Sequence, residues 1–225
     1  MATHLITGSG SGIGQALADA LHARGDQLLL LARSPERSEE LSSRYDGAHG
    51  IVADLAQPGS LATVELPDAL DSLVHAAGVV DLGAVAELSA RMWREHLDVN
   101  LLAPAELTRQ ALPALRVARG TAVFLNSGAG LRANPEWSAY AASKHGLRAL
   151  ADSLRAEERE HGVRVTSVYP GRTATPMQQR VHAQEGKEYD ADDWLQPETV
   201  AEAILHVLDL PRDATIPDVT VSPGP

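Results

Sequence analysis

A tyrosine and a lysine stand four residues apart in the second half of the chain, at Tyr140 and Lys144. On a helix, this spacing places both side chains on one face. A free tyrosine has a pKa of about 10, which is too high for ready proton exchange at neutral pH. A neighbouring ammonium favours the phenolate, so we expect Lys144 to lower the pKa of Tyr140 and make it a usable acid or base. By itself, the pair is also compatible with a chance feature of a solvated helix.

A glycine-rich stretch over residues 7–14, Thr-Gly-Ser-Gly-Ser-Gly-Ile-Gly, indicates a second kind of chemistry. Glycine permits positive φ, and its missing Cβ lets a pyrophosphate approach the backbone at a helix N-terminus. The spacing is Gly8-x-x-x-Gly12-x-Gly14, which is neither G-x-G-x-x-G nor a P-loop. The stretch predicts a phosphate seat, and the alternative is a tight strand-to-helix turn that binds nothing.

The elements that must position these groups follow from the hydrophobic pattern. Short apolar runs alternate with helical patterns, and strands buried on both faces of a sheet give such continuous runs. The sequence therefore predicts an α/β fold: a single domain over residues 1–225 with a doubly wound (Rossmann), mostly parallel seven-stranded sheet and helices on both faces. The predicted strands are centred on residues 5–6, 28–31, 50–52, 73–74, 122–125, 163–168 and 219–221.

Helix signals lie between these runs. Apolar residues follow helical spacing over 13–21, and a serine and a proline at Ser34 and Pro35 suit a helix start. Two longer helices are expected over about 90–115, bent near Pro104, and over about 136–161. The polar stretch 175–196 breaks the rhythm, and we expect a mobile surface segment there that serves as a substrate-binding lid.

Composition excludes several classes of protein. The formal net charge of -11 argues against a nucleic-acid partner, and the absence of cysteine excludes disulfides and thiolate metal sites. The longest apolar run, residues 28–32, is far shorter than the roughly 20 residues of a membrane span. The first residues show no signal-peptide pattern. We therefore expect a cytoplasmic protein with no membrane association, and no metal site is indicated.

Taken together, these motifs resemble the short-chain dehydrogenase/reductase superfamily over nearly the whole chain. Residues 7–14 are similar to its cofactor turn, and Tyr140-x-x-x-Lys144 to its active-site pair. Ser127 stands 13 positions before Tyr140, and Asn100 stands 27 positions before Ser127, which are the spacings of that family's serine and asparagine.

The resemblance implies an oxidoreductase with four catalytic residues. Ser127 would hydrogen-bond the substrate oxygen, where negative charge develops. Tyr140 would donate the proton to that oxygen, or remove it in the oxidative direction. Lys144 would hold the nicotinamide ribose and tune Tyr140, and Asn100 would position a water that connects Lys144 to solvent.

The resemblance also implies a set of cofactor contacts. The Pro-Gly-x-x-x-Thr segment that begins at Pro170 is similar to the one that closes over the nicotinamide, and two backbone positions after the fourth strand would contact the ribose. The expected cofactor-binding residues are Gly8, Ser9, Ser11, Gly12, Ile13, Gly14, Arg33, Ser34, Asp54, Leu55, Ala77, Gly78, Tyr140, Lys144, Pro170, Gly171, Thr173 and Thr175.

The choice of nicotinamide cofactor depends on the end of the second strand. NAD-selecting sites carry an acid there, whereas this chain has Arg33, whose guanidinium suits a phosphate. We therefore expect NADP(H) rather than NAD(H), with Ser11 and Ser34 near the 2'-phosphate and Arg37 as a further candidate. The preference is modest, because the turn lacks a basic residue at Ser11. Asp54 matches the family's adenine-contacting aspartate, with a helix cap as the alternative.

One motif departs from the family. His75-Ala76-Ala77-Gly78 stands where the family usually has Asn-Asn-Ala-Gly, which puts a hydrogen bond that braces the sheet in doubt. We interpret His75 as a core histidine rather than a catalyst. The substrate pocket is expected to be lined by the lid and by Leu131, Arg132, Trp137, Tyr169 and Met177.

Three functions stay open at this stage. The first is an NADPH-dependent reductase of small carbonyl compounds, and the second is an NAD-dependent alcohol or hydroxysteroid dehydrogenase with the same fold. The third is a non-catalytic nucleotide-binding regulatory protein, which an intact catalytic set argues against. Family resemblance further implies a homodimer or homotetramer.

Overall fold

Seven parallel strands, in the order β3-β2-β1-β4-β5-β6-β7, form the centre of the computed structural model, which describes residues 1–224. The predicted doubly wound α/β fold is confirmed, and Pro225 of the predicted domain lies outside the described residues. The strands are β1 Thr3–Thr7, β2 Gln27–Ala32, β3 His49–Val52, β4 Ser72–His75, β5 Thr121–Leu125, β6 Arg164–Pro170 and β7 Asp218–Val221. The helices are α1 Gly12–Ala23, α2 Pro35–Arg44, α3 Ala90–Leu97, α4 Ala103–Ala118, α5 Ser138–Glu157, α6 Pro176–Gln184 and α7 Pro197–Leu208.

The sheet separates two apolar clusters. Successive side chains of a strand point to opposite faces, so Leu5 of β1 belongs to the cluster under α4 and α5, and Ile6 belongs to the cluster under α1 and α7. Every residue of β5 is buried, as expected for a central strand covered on both sides. No helix within residues 1–224 is long and apolar enough to cross a membrane.

The first predicted long helix is present, with a bend of identifiable cause. A π-helical turn, Asp98–Leu102, joins α3 to α4 and ends two residues before Pro104. Proline lacks an N–H, and its ring clashes with the carbonyl four residues earlier, so the chain widens at this point. That carbonyl belongs to Asn100, so the widened turn surrounds a predicted catalytic residue.

The predicted lid contains a helix that the sequence pattern did not indicate. Thr175 caps α6 by accepting a hydrogen bond from the Gln178 N–H at 3.2 Å, and Pro176 occupies the first turn. Val181 and His182 of this helix are buried, so the segment is not wholly a surface segment. The apolar pattern missed α6 because its inward face is short and partly polar.

The connectivity of the sheet places a crevice beside β1. The strand order reverses between β1 and β4, and in open α/β sheets ligands bind at such a point, beyond the carboxyl ends of the strands. The glycine turn follows β1, residues 76–78 follow β4, and Ser127 follows β5 at this same edge.

Because the sheet is buried, the same valine-to-alanine substitution should affect stability differently in a strand and in an exposed loop. Val74 in β4 is 0% exposed, whereas Val85 in a loop is 68% exposed. We expect Val74→Ala to lower the free energy of unfolding by about 2 kcal/mol, because it removes two buried carbons and leaves a cavity. Val85→Ala should change it by less than about 0.5 kcal/mol. Chemical denaturation of both variants measures the difference, and equal effects would contradict this placement of β4.

Candidate active site

A cavity of about 550 Å³ opens at the predicted edge of the sheet. Its size is typical of a small-molecule site. The structure brings most of the predicted site residues into its lining. These are Gly8, Ser11, Gly12, Ile13, Gly14, Ala77, Gly78, Ser127, Tyr140, Lys144, Pro170, Gly171, Thr173 and Thr175. The predicted residues outside the lining are Ser9, Arg33, Ser34, Asp54, Leu55 and Asn100.

The glycine turn is held in a form that only glycine allows. Gly8 has φ +72°, and a Cβ on it would lie 2.7 Å from the backbone nitrogen of Ala77. A Cβ on Gly14 would lie 2.4 Å from the carbonyl oxygen of Gly8. Ser11 precedes α1 without capping it through its side chain, so the first N–H groups of this helix stay available to an anion. This arrangement fits a pyrophosphate.

Tyr140 and Lys144 occupy adjacent turns of α5 and are both buried. The Lys144 ammonium donates a hydrogen bond to the Leu125 carbonyl at 2.8 Å, and its nitrogen lies 5.8 Å from the centroid of the Tyr140 ring. Ser127 stands just beyond β5, and its hydroxyl accepts from the Ala129 N–H at 3.1 Å. The Ser127 side chain is close enough to the phenol to affect its pKa. The predicted convergence of these three side chains is therefore present in the structure.

Burial dominates the acid–base properties of this pair. It raises the pKa of Tyr140, and the interaction with Ser127 opposes that rise. It lowers the pKa of Lys144 to about 8. The expectation that Lys144 lowers the pKa of Tyr140 is wrong for the free chain, because removing the phenol from water disfavours its charged form and the ammonium bonds to Leu125 instead.

Asn100 is fully buried behind the cavity. Its amide forms two hydrogen bonds of 2.9 Å with the backbone of Val79, and it donates to the Ser143 hydroxyl at 3.0 Å. A Cβ on Gly78 would lie 3.2 Å from Asn100 Oδ1 and 3.8 Å from Lys144 Nζ. Asn100 thus braces the chain after β4 and lies near Lys144, without lining the cavity.

Three side chains surround the region where we expect the adenosine half of a cofactor. Ser34 caps α2 by accepting from the Arg37 N–H at 3.3 Å, and Arg33 is exposed beside it. The Arg37 guanidinium reaches across to the glycine turn and donates to the Gly10 carbonyl at 2.9 Å. It also pairs with Glu40. The structure therefore brings a basic residue of α2 to the turn that lacks one of its own.

Other predicted positions have local roles in the structure. Asp54 accepts from the Ala56 N–H at 3.0 Å and from the Gln57 amide at 3.1 Å. These bonds close a local turn and cap no helix, because Gln57 is the N-cap of the short helix Pro58–Thr63. The contact of Asp54 with an adenine stays a prediction. Leu55 packs against the apolar core, and Ser9 is buried in the turn.

The histidine that replaces a family asparagine lies in the core, as expected. His75 stacks on Phe124 with ring centroids 4.8 Å apart, and its Nε2 lies 2.9 Å from the Thr108 hydroxyl. Burial lowers the pKa of His75 to about 3, so it is neutral. The Thr7 hydroxyl accepts from the Ala77 N–H at 3.1 Å, so β1 and the chain after β4 are still joined. Residues 1–224 contain no group of three acidic or histidine side chains that could hold a metal.

The sequence interpretation of the pocket lining is partly wrong. Trp137 and Met177 line the cavity, but Leu131, Arg132 and Tyr169 do not. Leu131 and Arg132 are exposed because the short helical turn Gly128–Gly130 points them outward, and Tyr169 is buried within β6.

The sequence interpretation also missed Asn126 and Arg172, and it included Glu185 only as part of the predicted lid. Asn126 ties the site together, because its amide donates to the Lys144 carbonyl at 3.1 Å and accepts from the Ser127 N–H at 2.9 Å. Its position directly after β5 could have indicated this role. Arg172 and Glu185 line the outer cavity, and no local pattern links them.

A doubly wound parallel sheet with a glycine turn at the start of α1 and a Ser-Tyr-Lys cluster beside it is the arrangement of a class of oxidoreductases. A family model described as short chain dehydrogenase matches residues 2–186. The chain belongs to this family of oxidoreductases.

Individual relatives agree with this assignment. Dehydrogenase/reductase SDR family member 7B of Bos taurus is 34% identical over 205 residues, which cover 84% of this chain and 63% of that protein. The chain thus spans less than two thirds of that relative's length. Oxidoreductase UcpA of Escherichia coli K12 is 34% identical over 197 residues, covering 83% and 74%. An alcohol dehydrogenase from Thermococcus sibiricus, solved with 5-hydroxy-NADP, superposes with a TM-score of 0.83 at 26% identity, covering 98% and 96%.

The buried ammonium predicts an unusual pH dependence of stability. Between pH 8 and 10.5, Lys144 binds a proton in the unfolded chain and releases it in the folded one, so its burial penalty applies fully below pH 8 and fades as the pH rises. We expect the free energy of unfolding of Lys144→Met to exceed that of the wild type at pH 7 by up to about 3 kcal/mol. This difference in free energy between the two proteins should become smaller by pH 10.

Denaturant titrations at both pH values measure this difference, and Lys187→Met serves as the control because that side chain is 63% exposed. A difference for Lys144→Met that does not change with pH would contradict the lowered pKa.

Proposed function

We propose that the protein transfers a hydride between NADP(H) and a small carbonyl or alcohol substrate, with Tyr140 as the proton donor or acceptor. The observation that carries this proposal is the convergence of Tyr140, Ser127 and Lys144 in one cavity with the glycine turn. The cofactor supplies the hydride when bound, and the chain's own residues supply the proton and the binding of charge.

Proton transfer in the reductive direction suits a buried phenol. Because the pKa of Tyr140 is raised, its oxygen keeps the proton at neutral pH until negative charge develops on the substrate oxygen. The Ser127 hydroxyl would share that oxygen as a second donor. Lys144 would hold the ribose through its ammonium, and its positive charge would stabilise the phenolate after proton transfer.

Preference for NADP(H) is supported by two guanidinium groups. Arg33 is exposed at the end of β2, and Arg37 reaches the glycine turn at Gly10. Arg33 can pair with a 2'-phosphate directly, and Arg37 would do so by leaving its pair with Glu40. The sequence has no acid at the end of β2 that would repel a phosphate. The NADP analogue bound by the Thermococcus sibiricus structure is consistent with this choice.

Two other functions stay as alternatives. An NAD-dependent alcohol or hydroxysteroid dehydrogenase would show equal or better affinity for NADH, and a non-catalytic regulatory protein would bind nucleotide without turnover. Substrate contacts with the segment 175–196 as a lid, a homodimeric or homotetrameric state and a cytoplasmic location stay predictions.

The assignment of Tyr140 predicts a selective loss of turnover. We expect Tyr140→Phe to lower kcat by about 100-fold or more, because general acid–base catalysis typically contributes 10²–10⁴-fold. Affinity for NADPH should stay within about threefold, since only the hydroxyl is removed. A screen of ketones, aldehydes and quinones with NADPH and NADH identifies a working substrate, and fluorescence titration gives the affinity.

Tyr45→Phe is the matched control, because the Tyr45 hydroxyl bonds to Asp19 at 2.8 Å and lies outside the cavity lining. This variant should keep its turnover. Full activity of Tyr140→Phe would reject the assignment.

The proposed cofactor preference can be tested at Arg33. We expect Arg33→Ala to weaken NADPH binding by about 10-fold to 100-fold, the range for loss of a hydrogen bond to a charged group. NADH binding should change little, because NADH has no 2'-phosphate. The control is Arg44→Ala, an exposed arginine that pairs with Asp19. Equal losses for both cofactors would show that Arg33 does not meet the phosphate.

A further inference from the structure

The outer wall of the cavity contains an ion pair that the proposed reaction does not use. Arg172 follows β6, and Glu185 ends α6, so the pair joins the sheet to the predicted lid. Arg172 Nη1 donates to Glu185 Oε2 at 2.9 Å, and Nη2 donates to Oε1 at 2.5 Å. This two-point geometry is the one in which a guanidinium binds a carboxylate most specifically.

Two indole rings flank the Arg172 guanidinium. Its Cζ lies 5.9 Å from the ring centroid of Trp137 and 5.5 Å from that of Trp194, which is within cation–π range. The Trp137 ring lies 5.8 Å from the Tyr140 ring. Trp137 therefore neighbours both the guanidinium and the proposed proton donor, and all three side chains line the same cavity.

An apolar patch of the cavity wall lies beside Tyr140. Val80, Ala129 and Val181 are buried beside Tyr140, with Met177 packed against them. All four residues line the cavity. Such a wall stabilises an apolar substrate group and offers no partner to a charge.

We propose that Glu185 occupies the carboxylate-binding position of Arg172, so that the cleft selects uncharged, apolar carbonyl compounds and rejects carboxylates of the same shape. This inference rests on the proposed function. A substrate carboxylate would either displace Glu185 or lie unpaired next to its negative charge, and both arrangements are unfavourable. Lys187 also pairs with Glu185, at 3.1 Å, but it is largely exposed and solvent screens it.

The competing explanation is a purely structural link that only holds α6 against the sheet. The two explanations differ in their response to substrate charge. Loss of a structural link would impair all substrates alike, whereas loss of the Glu185 charge would favour anionic substrates specifically.

A pair of keto compounds tests this difference. Methyl benzoylformate and benzoylformate carry the same aryl ketone, and only the second is charged. With NADPH, we expect the wild type to show a kcat/KM for the ester about 100-fold or more above that for the acid. In Glu185→Gln, which keeps the shape of the side chain, this ratio should fall by about 10-fold or more, because Arg172 becomes free to bind the carboxylate.

The double variant Arg172→Gln/Glu185→Gln is the matched control. It removes the cation together with the anion, so the preference for the ester should rise again. Equal losses for both substrates in Glu185→Gln, with an unchanged ratio, would overturn the proposal in favour of the structural link.

Binding of benzoate to the NADP⁺-loaded protein gives a readout that does not depend on turnover. Tryptophan fluorescence should report it, since Arg172 touches Trp137 and Trp194. We expect benzoate to bind at least about 10-fold more tightly to Glu185→Gln than to the wild type or to the double variant. Unchanged binding would overturn the role of Glu185. Tighter binding without turnover of either keto compound would contradict the proposed reaction and leave that role standing.

Discussion

Burial of the Lys144 ammonium is the constraint on which the rest of the site depends. A charged group that is only 4% exposed needs a partner, and the Leu125 carbonyl at the end of β5 provides it. The backbone carbonyl of Lys144 in turn accepts from Asn126, which also holds the Ser127 N–H. These hydrogen bonds fix the position of helix α5 relative to the end of strand β5. They thereby also fix the positions of the Tyr140 phenol and the Ser127 hydroxyl.

Much of this arrangement follows from the sequence. Continuous apolar runs that alternate with helical periods indicate a parallel sheet, and such a sheet brings the ends of its strands to one edge. The i, i+4 spacing of Tyr140 and Lys144, and the position of Ser127 after a strand, are local features. Their convergence could therefore be predicted, and so could the burial of His75, an uncharged aromatic ring in an apolar run.

The parts that sequence reasoning missed depend on distant partners. The link from Arg37 to Gly10 and the pair between Arg172 and Glu185 join side chains from different elements, and no periodicity encodes them. The predicted direction of the pKa shift of Tyr140 was wrong for a similar reason. The spacing reveals the neighbouring charge, which would lower the pKa, but the extent of burial decides whether desolvation outweighs that charge and raises it.

The predicted lid, residues 175–196, joins the sheet at a single narrow connection. Thr173 and Leu195 pair as an isolated parallel bridge, so the excursion that contains α6 leaves and returns at nearly the same place. The entropy cost of closing a loop grows only slowly with the length of the loop. A change in the length or composition of this segment can therefore leave β6 and its neighbours in place. If the proposed function holds, such a change would alter which substrate fits while Ser127, Tyr140 and Lys144 keep their positions.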